Sequence, residues 1–219
     1  MMLKDWRNLP MTIFWDWNGT LVDDVDTVVQ VNNQVFARHG YTPTTAEAYR
    51  LLFRFPVIEY YRALGVTDED FPIIAKEWNA GFVEAFSQVP LRRGIAEVVR
   101  RFHEAGFTQV IISASQQDQL RVQVKQYPEL AGMFNEVLGL GDQYAVSKVH
   151  LAQEYMARTG LDPREAIFLG DTDHDAQVAQ AISCRCCLLS GGHQRRQVLV
   201  ETGMPVLDDP LELIPMLNL

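Results

Sequence analysis

An α/β fold is what this sequence predicts: a parallel sheet covered by helices on both faces, with a helical bundle inserted after the first strand. Three observations carry the expectation. From residue 89 onward, short apolar runs alternate with amphipathic stretches of helical length. A further apolar run, MTIFW at residues 11–15, stands well upstream of them. The intervening residues 22–88 have helical periodicity throughout and no strand pattern.

Residues 11–15 read as a strand buried on both faces, because covered faces call for an unbroken apolar run instead of an alternating one. Val25, Val28, Val29, Val35 and Phe36 then share one helical face up to a stop at Gly40, and Thr44 with Glu47 suggests a capping box for the next helix. Pro56 opens a short helix, VIEYYRAL, which Gly65 closes. Thr67 with Asp70 starts a longer one carrying Ile74, Trp78, Phe82 and Phe86 at steps of four. After Val89-Pro90 the pattern changes. Ile95, Val98, Val99 and Phe102 mark a helix ended by Gly106, residues 109–112 a strand, and residues 116–127 another helix. A helix from about residue 147 to 159 ends at Gly160, residues 166–169 form a strand running into Gly170-Asp171, and a helix follows through Ala176 to Ile182. The segment 184–189 closes the alternation as a buried strand.

At 219 residues the chain is long enough for one sizeable core and a smaller appended module, and 47% hydrophobic with 21% charged residues is a globular composition. The net charge of -9 with four lysines argues against a nucleic-acid partner, since phosphate backbones are held by clustered Lys and Arg. An anionic small-molecule substrate would then call for a divalent cation. Lys4 and Arg7 precede an apolar run that Asp16 stops after five residues, too short for a secretory signal. No window approaches the roughly 18 apolar residues of a spanning helix, so no membrane partner and a cytoplasmic location are expected. Cys184, Cys186 and Cys187 lie too close together for a disulfide framework. With His193 as the only nearby candidate for a fourth metal ligand, they read as reduced core residues.

In open parallel sheets, ligands bind beyond the carboxyl ends of the strands. Asp16 follows MTIFW, Ser113 follows residues 109–112, Asp171 follows residues 166–169, and Lys148 stands near the start of a helix. Asn18-Gly19 could be a hairpin turn with Asp16 incidental, but LVDDVDTVVQVNN after it reads as helix and not as a returning strand. The carboxylates of GDTDHD could open a helix, where capping and the dipole favour acids. Three of them within five residues, near Asp16, would repel one another unless a cation sat among them, and hard oxygen donors suit Mg2+. Ser113 could simply cap the following helix, and Lys148 could be solvated.

DWNGT, the apolar run ending in Ser113, Lys148 ahead of a helix, and GDTDHD occur in an order and spacing that resembles the haloacid dehalogenase-like phosphohydrolases, from about residue 11 to 195. The arrangement is most similar to the phosphoglycolate and sugar-phosphate phosphatase branch. The resemblance implies a three-layer, Rossmann-like core at residues 1–21 and 89–219 with a helical cap at 22–88. It also implies roles. Asp16 would attack phosphorus and form an aspartyl-phosphate. Mg2+ would be held by Asp16, the backbone carbonyl of Asn18 and Asp171, with Asp175 in support. Ser113, Ala114 and Lys148 would bind the phosphoryl oxygens.

One position departs from the family. Where Asp-x-Asp-Gly-Thr is usual, this chain has Asn18, and the missing second Asp is the one that protonates the leaving oxygen. An amide cannot exchange a proton near neutral pH. His174 or Asp173 could take over. Two branches that also lack this Asp fit poorly: metal-free dehalogenases, because the acids of GDTDHD are retained, and phosphonatases, because the only lysine in the inserted segment, Lys76, shows no sign of reaching the site.

Arg54, in LLFRFP, occupies roughly the cap position from which related enzymes touch substrate and could grip a carboxylate. Gly191-Gly192-His193 reads as a loop that could line the site. The expected function is a Mg2+-dependent phosphatase of small phosphorylated metabolites, a monomer or homodimer, slowed by Asn18. The rival expectation is a catalytically impaired protein that binds such metabolites, and a sugar-phosphate mutase ranks last.

Overall fold

The computed structural model describes residues 11–141 and 147–219; Lys4 and Arg7 lie outside them. Among the described residues, six strands form one parallel sheet in the order β3-β2-β1-β4-β5-β6. They are β1 (Thr12–Trp15), β2 (Thr108–Gln116), β3 (Glu136–Leu140), β4 (Ala166–Gly170), β5 (Arg185–Leu189) and β6 (Val206–Leu207). From β1 the chain proceeds to β2 and β3 on one side and to β4, β5 and β6 on the other. The sheet therefore has a switch point at β1, with a crevice beyond the carboxyl ends of its central strands.

Strand β1 is buried along its whole length, and its period of two divides the core. Ile13 and Trp15 face one layer together with Ile111, Ile167, Leu169 and Cys187. That layer is covered by α5 (Ile95–Glu104) and α10 (Leu213–Met216). Phe14 faces the other with Val110, Ile112, Phe168 and Cys186, under α7 (Lys148–Thr159) and α8 (Asp173–Ala181). The three-layer α/β expectation holds. The neighbouring thiols Cys186 and Cys187 enter opposite layers and all three cysteines are free. Burial pushes the Cys187 thiol up to about 12, as befits a reduced core residue.

Four helices are inserted between β1 and α5: α1 (Val25–His39), α2 (Ala46–Leu52), α3 (Val57–Ala63) and α4 (Phe71–Ala85). α1 ends where Gly40 turns left-handed at φ +76° and donates its N–H to the Phe36 carbonyl. α1 and α4 pack along their apolar faces, and Trp78 stacks on Phe82 with ring centroids 4.8 Å apart. One cap differs from expectation. The hydroxyl that accepts a helix N–H is that of Thr45, 3.1 Å from the Ala48 nitrogen, while Thr44 is buried and pairs through its backbone with Asn33.

Later boundaries shift modestly. α6 covers Gln117–Val124, and α8 begins at Asp173, upstream of the apolar residues that reveal it, because Thr172 and Asp175 form its capping box. Sequence reading passed over β3, β6, α9 (Arg196–Glu201) and α10. Among the described residues, no helix is long and apolar enough to cross a membrane.

Candidate active site

The loop after β1 leads straight into the crevice. Asp16 donates its backbone N–H to the Leu169 carbonyl at 2.8 Å, so the first residue past β1 is pinned beside the end of β4. Gly19 adopts φ +71°, and a Cβ there would run into the Asp171 carboxylate and the His193 ring. Its carbonyl accepts a hydrogen bond from Arg92 at 2.9 Å. Thr20, fully buried, donates its hydroxyl to Asp171 Oδ1 at 2.7 Å and stands 3.5 Å from Asp16 Oδ2.

Asp16, Asp171 and Asp175 form the one cluster of metal-capable side chains among the described residues, with one oxygen of each lying within 4.8 Å of the others. Lys148, the first residue of α7, spans two of them: Nζ donates to Asp16 Oδ1 and to Asp175 Oδ1, each at 2.5 Å. Asp175 Oδ2 accepts the backbone N–H groups of Asp171 and Thr172 and the Thr172 hydroxyl, so this carboxylate is fully occupied in shaping the loop. Asp171 Oδ2 accepts the His193 N–H at 2.6 Å. Gly192 lies so close to Asp171 that a Cβ would overlap its carboxylate.

Burial sets the protonation states. It pushes the Asp16 carboxyl up to about 8, Lys148 opposing and Asp175 and Asp171 adding to the rise. Asp171 is also raised, chiefly by burial. For Asp175 burial acts upward too, but Lys148 and its hydrogen bonds outweigh it and hold the carboxyl below its usual range. Lys148 loses to burial and gains more from Asp16 and Asp175, so it stays charged. Three buried carboxyl groups share one ammonium, and the upward shifts of Asp16 and Asp171 register how poorly these hard oxygen donors hold negative charge without a further cation. Such a donor set fits a divalent cation of the Mg2+ type.

A second chain of hydrogen bonds crosses the site. The Ser113 hydroxyl donates to Ser115 Oγ at 3.1 Å, Ser115 donates to Asn18 Oδ1 at 2.8 Å, and Asn18 Nδ2 donates to Asp24 Oδ2 at 2.7 Å. Asp24 Oδ1 accepts the Gly19 N–H at 2.8 Å. His193 Nε2 lies 3.2 Å from the same oxygen, an ion-pair contact whose alignment falls short of a hydrogen bond. The other ring nitrogen of His193, Nδ1, pairs with the Tyr49 hydroxyl at 2.7 Å. Burial lowers the His193 imidazole, but Asp24 more than compensates and lifts it to about 9. Asp24, fully buried, is held below its ordinary value against the cost of burial by His193 and by its hydrogen bonds from Asn18 and Gly19.

These groups open into a cavity of about 420 Å³ between the strand ends and the inserted helices. Asp16, Asn18, Ser113, Ala114 and Lys148 line it, as do Asp24 and His193. α2 is tied to the loop after β5: Arg50 Nε donates to the Gly192 carbonyl at 2.9 Å, and Gln194 donates to the Phe53 carbonyl at 3.4 Å. Arg54 is exposed, donates to the Leu52 carbonyl, and is not among the residues lining the cavity; its neighbours Phe53 and Phe55 are. In LLFRFP the rings turn inward and the guanidinium turns to solvent. Lys76 is exposed outside the cavity. His174 lines it with its ring 4.6 Å from that of Phe55, while Asp173 is engaged by Gln194.

The residues expected at the strand ends, Asp16, Ser113, Lys148, Asp171 and Asp175, come together. Ser113 sits inside β2 and not just past it, because the strand continues through an irregular register between Ile112 and Gln116. Thr20, Asp24, Tyr49 and Ser115 were missed. Asp24 had a signal, the acidic run VDDVD, but nothing in that run singles out which carboxylate turns inward. Gly191-Gly192-His193, read as a loop that could line the site, supplies the ring between Asp24 and Tyr49.

Comparison with known proteins agrees with this geometry. The chain is 23% identical over 218 residues to a phosphoglycolate phosphatase of Pseudomonas fluorescens, covering 94% of this chain and 79% of that one. It is 23% identical over 203 residues to a phosphoglycolate phosphatase of Synechococcus elongatus, with 92% and 94% covered. Among solved structures, a haloacid dehalogenase-like hydrolase of Streptococcus pneumoniae superposes with a TM-score of 0.82 at 18% identity, over 94% of this chain and 97% of that one. CbbY of Rhodobacter sphaeroides, solved with phosphate, gives 0.74 at 20%, over 96% and 100%. At such identities the structures speak to the fold alone. The family model for haloacid dehalogenase-like hydrolases matches residues 13–189, most of the chain and every strand-end acid of the crevice, and the protein belongs to that family.

Proposed function

We propose that this protein is a Mg2+-dependent phosphomonoester hydrolase of small phosphorylated metabolites, working through an aspartyl-phosphate on Asp16. The observation that carries the reading is the Asp16–Lys148–Asp175 triad beside Asp171 at the switch point of the sheet, with Asp16 and Lys148 lining the cavity. The names of the curated relatives support the same chemistry.

Asp16 Oδ1 is held by Lys148, whereas Oδ2 has only the distant Thr20 hydroxyl, whose proton is better placed on Asp171. Oδ2 is therefore the oxygen with electrons free to attack phosphorus. Lys148, Ser113 and the Ala114 backbone would hold the phosphoryl oxygens, offsetting the repulsion between a carboxylate and a dianionic ester. Asp16, the Asn18 carbonyl and Asp171 would hold Mg2+, with Asp175 orienting them; when bound, the ion supplies positive charge at the transferring group. The helices of residues 22–88 would act as a cap that excludes water and chooses the leaving group, over a core of 1–21 and 89–219. Arg54, turned to solvent, has no part in this arrangement.

A second reading, a metabolite-binding protein with impaired turnover, draws support from Asn18, whose amide is tied up on both sides and offers no exchangeable proton. A substrate panel assayed with Mg2+ and with EDTA separates the two. Metal-dependent multiple turnover that Asp16→Asn abolishes supports the hydrolase; tight binding without turnover supports the alternative.

A further inference from the structure

Resting on the reading of the site as a phosphomonoester hydrolase, we infer that its substrates are aryl phosphates, with a flat aromatic alcohol as leaving group, and not short carboxylate-bearing esters such as phosphoglycolate. Two independent features lead there.

The first is the cavity wall opposite the phosphoryl end. Phe53, Phe55, Tyr60, Phe71, Trp78 and Phe82 line it, in a space of about 420 Å³, the scale of sites that enclose ring-sized ligands and far beyond what a two-carbon fragment fills. The wall has no arginine. Lys148 is fixed at the phosphoryl end by Asp16 and Asp175, and His193 lies between Asp24 and Tyr49. His174 lies tilted against Phe55. A carboxylate on the substrate's leaving group would enter a partly desolvated space near Asp24, where no basic residue lining the cavity is placed beyond the phosphoryl end to pair with it except His174, and a buried charge left unpaired is costly. An aromatic ring meets faces and edges it can pack against.

The second feature is Asn18. A leaving alkoxide must be protonated as it departs, because an aliphatic alcohol holds its proton about as tightly as water, near 16, whereas a phenol ionises near 10, as tyrosine does. With an amide where an acid would stand, the site suits a group that can leave as its anion. In the step, an Asp16 lone pair forms the new oxygen–phosphorus bond while the phosphorus–aryl oxygen bond breaks, its electron pair remaining on the phenolate. Water then attacks phosphorus and the Asp16 oxygen–phosphorus bond breaks. Inorganic phosphate is released, and the proton lost from that water restores the phenol through solvent.

The test uses the full chain with Mg2+ and compares kcat/KM for acetyl phosphate, phosphoglycolate, phenyl phosphate, benzyl phosphate and 2-naphthyl phosphate. Expected is a kcat/KM for 2-naphthyl phosphate about 10- to 100-fold above that for phosphoglycolate, the discrimination an apolar pocket can supply. Benzyl phosphate, which has the ring but an alkoxide leaving group, should match phenyl phosphate in KM and fall well below it in kcat. Phe55→Ala, a half-buried ring whose loss leaves the deep core closed, should lower the 2-naphthyl-to-acetyl ratio of kcat/KM about tenfold. Fluorescence titration of the Asp16→Asn variant with 2-naphthyl phosphate, competed by phosphoglycolate, reads the same preference as binding. Phosphoglycolate reacting or binding as well as 2-naphthyl phosphate overturns the inference. Absence of Mg2+-dependent hydrolysis even of acetyl phosphate overturns the hydrolase reading instead, and the titration still decides the ring preference.

Discussion

The amide nitrogen of Asn18 donates to Asp24 Oδ2 at 2.7 Å, and Asp24 is itself fully buried. A carboxyl group at position 18 would have to share a proton with Asp24, since two carboxylates at this distance cannot both ionise. A proton held that way is available to a leaving oxygen. Asn18→Asp is therefore expected to raise turnover of alkyl phosphates by about 10²- to 10⁴-fold, the usual worth of general acid–base catalysis, and to change aryl phosphates far less. Steady-state kinetics on an ethyl and a phenyl ester check it, with mass spectrometry of the parent protein to exclude deamidation at Asn18-Gly19. An equal gain on both esters would contradict the role given to this position.

Lys148 is the only positive charge between Asp16 and Asp175, and it is 4% exposed. Lys148→Met leaves two buried carboxylates facing each other. Breaking a buried ion pair from one side costs about 3–5 kcal/mol, and a urea denaturation series in EDTA should show a loss of that order. Turnover should fall as well. Magnesium should recover part of the stability and none of the lost phosphate grip.

Asp16 and His193 both carry folded-state values above their ordinary ones, about 8 against 3.8 and about 9 against 6.5. Each contributes stability that is complete below its ordinary value and is lost as pH climbs through the folded value. Asp175, held low, works the other way and withdraws its contribution on acidification below its usual range. The metal-free protein should thus lose thermal stability from about pH 4 to pH 9, through Asp16 up to about pH 8 and through His193 above about pH 6.5. Bound cation competes with the proton on Asp16, so the gain in Tm from added MgCl2 should grow across the same interval. Melts in EDTA and in magnesium at each pH measure both trends, and a metal-induced gain that shrinks toward pH 9 would count against Asp16 as a ligand.

A Cβ at position 192 would overlap the Asp171 carboxylate, whereas one at position 160, at φ +66°, meets nothing within 4 Å. Gly192→Ala should weaken magnesium binding by about 10- to 100-fold, as outer-shell disturbances of metal ligands do. Gly160→Ala should cost about 1–2 kcal/mol of backbone strain and leave the affinity alone. Calorimetric titration of the two variants with MgCl2 separates a ligand-positioning glycine from a helix-ending one.

Tyr49 reaches His193 Nδ1 from α2 at 2.7 Å. Tyr49→Phe keeps the ring and removes the hydroxyl, stranding a buried nitrogen at a cost of about 1–3 kcal/mol. Chemical denaturation measures it. Because the aromatic face is retained, KM for a phenyl ester should move less than the stability does.

The parallel sheet was legible because a strand covered on both faces must be apolar at every position, and MTIFW and residues 166–169 are. The strand-end acids were legible because three carboxylates packed into GDTDHD ask for a cation. Strands β3 and β6 were not: EVLGL contains a glycine and an exposed-looking glutamate, and two residues are too few for a period. The Ser113–Ser115–Asn18–Asp24 chain was hidden for a different reason. It joins residues up to 97 positions apart through side-chain orientations that no local pattern encodes. Arg54 misled because a charged residue flanked by phenylalanines reads equally well as a gripping hand or a solvent-facing one, and only the packing of α2 and α3 decides which side turns in.

Because neighbouring strands in this sheet come from distant stretches of polypeptide, the crevice draws on residues as far apart in sequence as Asp16 and His193. A ribosome must therefore have passed residue 193 before the carboxylate proposed as nucleophile and the loop that steadies Asp171 can meet in one fold. A protease nick that removed the segment after β4 would likewise part Asp16 from the loop that steadies Asp171.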